Sequence, residues 1–146
     1  MKTSSLPSIY QLTLDELKKF LIENQQSPYL AASLFESLYK KNPSQDISIK
    51  TWDLLKENFH FSLPTITSVL KASDGTHKFL MEFEDGHKVE TVLIPFFKRY
   101  SICLSSQVGC AMKCSFCYTG TQGLSRHLKS HEIIGQYLKA REYLEN

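Results

Sequence analysis

Three cysteines fall within eight residues, Cys110-Ala-Met-Lys-Cys114-Ser-Phe-Cys117. Thiolates spaced at i, i+4 and i+7 on one short loop can converge on a single soft-metal centre. Such ligands select iron–sulfur clusters, zinc or copper(I) over hard cations. Three protein ligands leave one coordination position open, and an open position separates a chemical site from a structural staple. The spacing therefore argues for an iron–sulfur centre with one iron free of protein. A fourth cysteine, Cys103, lies upstream, so a closed zinc site built from Cys103, Cys110, Cys114 and Cys117 is the alternative. Four-cysteine zinc sites usually pair two short Cys-x-x-Cys units, a pattern this loop lacks.

The rest of the chain bounds what such a centre can belong to. At 146 residues, with 42% hydrophobic and 22% charged, the composition is that of an ordinary globular protein holding one domain or two small ones. No apolar run is long enough for a membrane span. The start, Met-Lys-Thr-Ser-Ser-Leu-Pro, has no apolar segment of signal-peptide length. A cytoplasmic location is expected. All four cysteines lie between 103 and 117, so disulfides among them would close only small loops and staple nothing else. A clustered set of this kind reads as metal or redox chemistry. Charge is uneven: residues 98–146 hold seven Lys/Arg and three Glu, whereas the first 97 hold ten Lys/Arg and twelve Asp/Glu. A basic stretch around a metal loop fits a phosphate-bearing partner, though it is also what a solvated surface looks like.

The elements that must position the loop fall into three parts. Residues 1–62 read as a helical domain. Thr13-Leu-Asp-Glu16 has capping-box form, and Leu14, Leu17, Phe20 and Leu21 then mark one apolar helix face. Ser27-Pro28 opens a second helix with Leu30, Leu34, Phe35, Leu38 and Tyr39 inward, and Asn42-Pro43 ends it. Ser48 to Asn58 forms a third helix carrying Trp52, Leu54 and Leu55. Residues 63–97 read as an antiparallel meander with strands near 66–72, 77–83 and 87–94, turned by Asp74-Gly75 and Asp85-Gly86 and closed by Pro95. In 98–146, Arg99 to Ser105 is expected as a strand running into the cysteine loop. A turn with Gly120 and Gly123 follows, then a helix from His131 to about Glu145, capped by Ser130, with Ile133, Ile134, Tyr137, Leu138 and Leu144 inward. A strand, a loop and one helix make a single β/α unit, and a parallel sheet needs more of them. The expected class is thus α+β leading into the first β/α unit of a truncated α/β fold, a barrel by the resemblance given below, and the front part of a longer protein.

Cys110-x-x-x-Cys114-x-x-Cys117 with Phe116 before the last cysteine resembles the signature of radical S-adenosylmethionine enzymes. The longer string Cys103-Leu-Ser-Ser-Gln-Val-Gly-Cys110, with Thr119-Gly-Thr-Gln-Gly123, Glu132-Ile-Ile-Gly-Gln136, Ser73-Asp-Gly-Thr76 and Val89-Glu-Thr-Val-Leu-Ile-Pro95, resembles the RlmN/Cfr family of RNA methyltransferases. The resemblance spans essentially the whole chain but only about the first two fifths of a family member.

It implies that Cys110, Cys114 and Cys117 hold three irons of a 4Fe-4S cluster, while the fourth iron takes the amino and carboxylate groups of S-adenosylmethionine. Reductive cleavage there gives an adenosyl radical. The implied substrates are C2 of an adenine in 23S rRNA and in tRNA, with an electron donor such as a flavodoxin or ferredoxin, in a monomeric protein. Glu90 matches the acid that takes the adenine proton. Cys103 matches the thiol that resolves the RNA adduct through a disulfide with a methyl-carrying cysteine absent here. Without the resemblance, Glu90 reads as a solvent-facing strand residue and Cys103 as a small strand hydrophobe. Phe116 is expected beside the cofactor. Tyr118 departs from the small residue usual after the third cysteine. Lys98, Arg126, His127 and Lys129 are either phosphate contacts or plain surface cations. The chain alone is expected to be inactive. A zinc-binding RNA-interaction module without catalysis is the alternative function.

Overall fold

A computed structural model describes residues 6–40 and 46–145. The chain divides into two compact units between Ser62 and Leu63.

The first unit is helical. Three helices, α1 (Leu14–Glu23), α2 (Leu30–Tyr39) and α3 (Ile49–Asn58), follow a short 3-10 turn at Ile9–Gln11. The capping box forms: the Thr13 side chain accepts from the Glu16 amide, and the Thr13 amide donates to Glu16 Oε2 at 2.7 Å. Two orphan donors of the first turn are thereby satisfied. Ser48 caps α3 in the same way, accepting from Thr51 N–H. Regular helix in α2 begins at Leu30 rather than at Pro28, because Ser27 and Pro28 make the tight turn that receives the Leu30 and Ala31 amides. Asn42-Pro43, expected to end this helix, lies outside the described residues. Ile9, Leu17, Leu21, Ala31, Leu34, Ile47, Leu55 and Phe59 form the core, with Trp52 partly buried against it.

The second unit begins with a four-stranded antiparallel sheet in the order β1 (Thr65–Lys71), β2 (His77–Glu82), β3 (Lys88–Phe96), β4 (Arg99–Cys103). Both Asp-Gly turns form, with Gly75 and Gly86 in the left-handed region that a side chain disfavours. Asp74 and Asp85 accept from the amides two residues on. Pro95 does not close the meander. β3 runs through it to Phe96 and turns into β4, which pairs Phe96 with Arg99 and Val92 with Cys103. β2 begins at His77, opposite Leu93, so the proline lies where one flank of β3 is open and a missing amide donor is tolerated.

The segment expected to lead straight into the cysteine loop is therefore the edge strand of the sheet. A separate short ribbon carries the loop: β5 (Gln107–Gly109) pairs antiparallel with β6 (Leu124–His127). β6 stands where the glycines alone suggest only a turn. Both sheets are antiparallel throughout among the described residues. A one-turn helix α4 (Tyr118–Thr121) lies within the loop, and α5 (Ser130–Glu145) closes the unit. Phe79, Met81, Val89, Leu93, Val108, Leu128 and Ala140 form the core, with Ile102, Ile133 and Tyr143 partly buried against it. On α5 the buried positions are Gly135, Gln136, Leu138 and Ala140, whereas Ile134, Tyr137 and Leu144 are exposed. The expected apolar stripe is thus displaced, because a glycine against Pro64 and a hydrogen-bonded glutamine occupy the inner face. No helix among the described residues is long and apolar enough to cross a membrane.

Candidate metal centre and the network that aims it

The cysteine loop spans the gap between β5 and β6 and is pinned where it leaves and returns. Cys110 N–H donates to Gly123 O at 3.0 Å, and Cys117 N–H donates to Cys114 O at 3.2 Å. Gly109 sits at φ +75°, and a Cβ there would lie 1.8 Å from Gly123 O. Only glycine lets the two ends of the loop approach so closely. Gly120, in α4, is buried against the Cys114 backbone, whose nitrogen would lie 2.9 Å from a Cβ added there. Cys110, Cys114 and Cys117 are each half-buried, and all four cysteines are free thiols. Met112 N–H points at Cys110 Sγ at 3.4 Å. An amide aimed at sulfur is the kind of contact that tunes an iron–thiolate centre.

No three His, Cys, Asp or Glu side chains among the described residues are gathered closely enough to hold a metal ion. The loop supplies the donor set on one short, anchored segment, and its sulfurs are not prearranged as a cage. What fits a cluster is therefore the chemistry of three free thiols on a pinned loop with an amide turned to one of them. Cys103 does not complete a fourth corner. It sits exposed on the edge strand β4. No disulfide forms among the four.

Cys103 and Glu90 share a surface. Direct partners across an antiparallel pair project to the same face, and residues alternate along each strand. Val92 pairs with Cys103, so Glu90, two residues before Val92, lies on that same outward face. Its carboxylate is paired with Lys78 Nζ at 2.8 Å. Phe116 is 91% exposed, and Tyr118 and Met112 beside it are exposed too. Three large side chains of the loop thus face solvent rather than a core.

The residues that aim the loop are given no chemical role by the sequence, although Gln136, Thr91 and Ser105 all lie in the strings that carry the family resemblance. Gln136 on α5 is fully buried (0% exposed). Its Oε1 accepts from Thr91 Oγ1 at 2.8 Å and from Ser105 N–H at 3.0 Å, while its Nε2 donates to Ser105 O at 2.9 Å. Ser105 Oγ in turn donates to the Glu90 carbonyl at 2.6 Å. One amide side chain therefore clamps β3, the link from Cys103 to β5, and α5. A buried amide is stabilising only when both ends are satisfied, as here.

Arg126, a candidate phosphate contact from its charge, is committed internally. It forms a bidentate pair with Glu132 (2.7 and 2.9 Å), donates from Nε to Asp85 at 2.7 Å, and stands over the Phe83 ring. Its guanidinium pKa is raised, chiefly by the hydrogen bonds to Glu132. Burial pushes the carboxyl pKa values of Glu132 and Asp85 up. For Glu132, hydrogen bonds from Arg126 and the Lys129 amide outweigh it, and for Asp85 the His87 amide and Arg126 do the same. Both carboxyls therefore lie below their ordinary values. His127 Nδ1 is within 3.1 Å of Gln107 Nε2.

No protein-family model matches the chain. Over 95% of its length it superposes on a radical SAM methyltransferase from Sphaerobacter thermophilus with a TM-score of 0.82 and 33% identity, covering 43% of that chain. In fold the chain is thus similar to part of a radical SAM methyltransferase. Among curated proteins, it is 40% identical over 143 residues to a probable dual-specificity RNA methyltransferase RlmN of Clostridium novyi, covering 94% of this chain and 42% of that protein. It is 42% identical over 145 residues to the RlmN of Oleidesulfovibrio alaskensis, covering 94% and 40%. The chain is similar to RlmN over nearly all its length and spans about two fifths of these relatives. The zinc-module alternative finds no support, since the similar proteins are methyltransferases.

Proposed function

We propose that this chain carries the cluster-binding part of an RlmN-type radical SAM methyltransferase acting on C2 of adenine in 23S rRNA and tRNA. The observation that carries the reading is the similarity to RlmN along nearly the whole chain, combined with three free thiols on a pinned loop. In this reading β5, the cysteine loop and α5 are the first part of a larger α/β barrel, and residues 1–62 are an accessory domain.

Cys110, Cys114 and Cys117 would hold a 4Fe-4S cluster, with S-adenosylmethionine at its open iron. Bound there, the pair supplies one-electron reductive chemistry on a sulfonium, drawing on a flavodoxin- or ferredoxin-class donor. Phe116 would lie against the cofactor once it is seated, covering an edge now open to solvent. Glu90 would accept the proton leaving the adenine carbon, and Cys103 on the same sheet face would act as the thiol that resolves the adduct. Lys78 holds the Glu90 carboxylate on that face meanwhile. The setting proposed is a cytoplasmic, monomeric protein.

Anaerobic reconstitution with iron and sulfide, followed by metal analysis and an absorption spectrum, tests the reading. About four irons per chain, the content of one 4Fe-4S cluster, is the expected result. That loading should be lost when Cys110, Cys114 or Cys117 is changed to alanine but kept in Cys103→Ala. Stoichiometric zinc without iron, or iron loading indifferent to the three loop substitutions, overturns it.

A further inference from the structure

The β3–β4 hairpin ends in a feature that neither the core nor the cysteine loop uses. Residues 96–101 are consecutive exposed positions, Phe96-Phe97-Lys98-Arg99-Tyr100-Ser101. Phe97 is 94% exposed and Phe96 61%, and Ile94 and Tyr100 are also exposed. The two phenyl rings meet edge to face with centroids 4.9 Å apart. Phe97 has φ +53° as the first of the two residues joining β3 to β4, a left-handed conformation that the tight hairpin demands and that glycine would meet at less cost than a bulky side chain. Here the strained backbone holds an aromatic ring out in water. Beside it stand Lys98 and Arg99, neither with an ion-pair partner among the described residues, and no acid lies between Thr91 and Glu132. Arg99 pairs directly with Phe96 across the hairpin, so cation and ring share one face.

Exposed aromatic faces next to unpaired cations are the parts of a single-strand platform, in which bases stack on rings and phosphates meet the charges. We infer that this hairpin tip docks an unpaired RNA strand, one base stacking on Phe97 and Phe96 while Lys98 and Arg99 take the adjoining phosphates. The choice of RNA rests on the methyltransferase reading; the stacking and charge do not.

The test is fluorescence anisotropy of a labelled single-stranded RNA oligonucleotide titrated with the purified, iron-free chain over a range of salt. Phe97→Gly is the informative variant. Glycine relieves the left-handed strain, so its thermal midpoint is expected to match or exceed that of the parent while affinity falls about tenfold or more. Phe97→Trp should retain affinity. Changing Lys98 and Arg99 together to alanine should flatten the slope of log affinity against log salt by about 0.7 for each phosphate no longer neutralised. Unchanged binding in Phe97→Gly overturns the proposal. So does equal affinity for a duplex, or a hairpin variant whose only effect is on self-association, which would make the tip a protein interface. Iron loading of Phe97→Gly is expected to be normal; failure of loading in the parent chain would strike the methyltransferase reading, and the oligonucleotide titration alone would then judge this one.

Discussion

The two units of this chain differ in how far their polar contacts reach. In the helical unit most side-chain contacts are short-range, Thr13 with Glu16, Ser48 with Thr51, Ser37 with Ser33 four residues back, and one longer tie runs from Thr51 Oγ1 to Gln26 Oε1 at 3.4 Å. Its core is otherwise a plain apolar cluster. In the sheet unit the decisive polar contacts join residues far apart in sequence: Gln136 with Thr91 and Ser105, Arg126 with Asp85. Local bonds stabilise an element that would form anyway. Long-range bonds fix how separate elements sit around a loop, which is what a loop proposed to carry three ligands requires.

The contrast is most vulnerable at Gly109. Gly109→Ala puts a methyl carbon almost on top of Gly123 O and asks alanine to adopt φ +75°. A cost of about 3 kcal/mol is expected, with loss of iron loading. Circular dichroism would follow the strands, while emission from Trp52, the chain's one tryptophan, follows the helical unit. Loss of both signals together would mean that the two units do not answer separately.

Gln136→Leu ranks next. It leaves the Thr91 hydroxyl only the weak Met81 Sδ acceptor at 3.7 Å and removes the partner of both half-buried Ser105 backbone groups, costing about 2 kcal/mol. If polar contacts in the sheet unit are mere local trim, the melting midpoint will hardly move, and the difference between the units disappears.

Acid titration probes the same long-range ties. Glu132 and Asp85 have folded pKa values below their unfolded ones. Their stabilisation is therefore fully present above the ordinary carboxylate range, about pH 4–5, and is lost as pH falls through the lower folded values. Arg126→Gln should weaken the sheet unit at neutral pH and flatten this acid limb. An acid limb of the same steepness in the variant would show that the pairing contributes nothing. Smallest is Thr13→Ala, expected to cost about 1 kcal/mol as a lost cap, read from Trp52 emission during denaturation.

Much of the helical unit was legible because its signals are local. A Thr-x-x-Glu box and apolar residues at helical spacing state a helix without reference to anything distant. The Asp-Gly turns were legible for the same reason: a left-handed position after an aspartate is a demand made by a few neighbouring residues. Residues 99–105 announce a strand, of which 99–103 forms, but not which strand lies beside it. Pro95 looks like a terminator locally, and only the start of β2 at His77 shows why it is tolerated.

Primary structure was enough to put three thiols on one short loop as a candidate donor set, and to show the strings that resemble a known family. It took packing to turn Gln136 inward, to make Arg126 an internal tie rather than a phosphate contact, and to put Glu90 and Cys103 on one face. The reason is physical. Covalent spacing fixes what a short loop can offer, whereas the partner of a polar side chain is chosen by which elements pack around it, and that choice is written in contacts 31 to 45 residues apart.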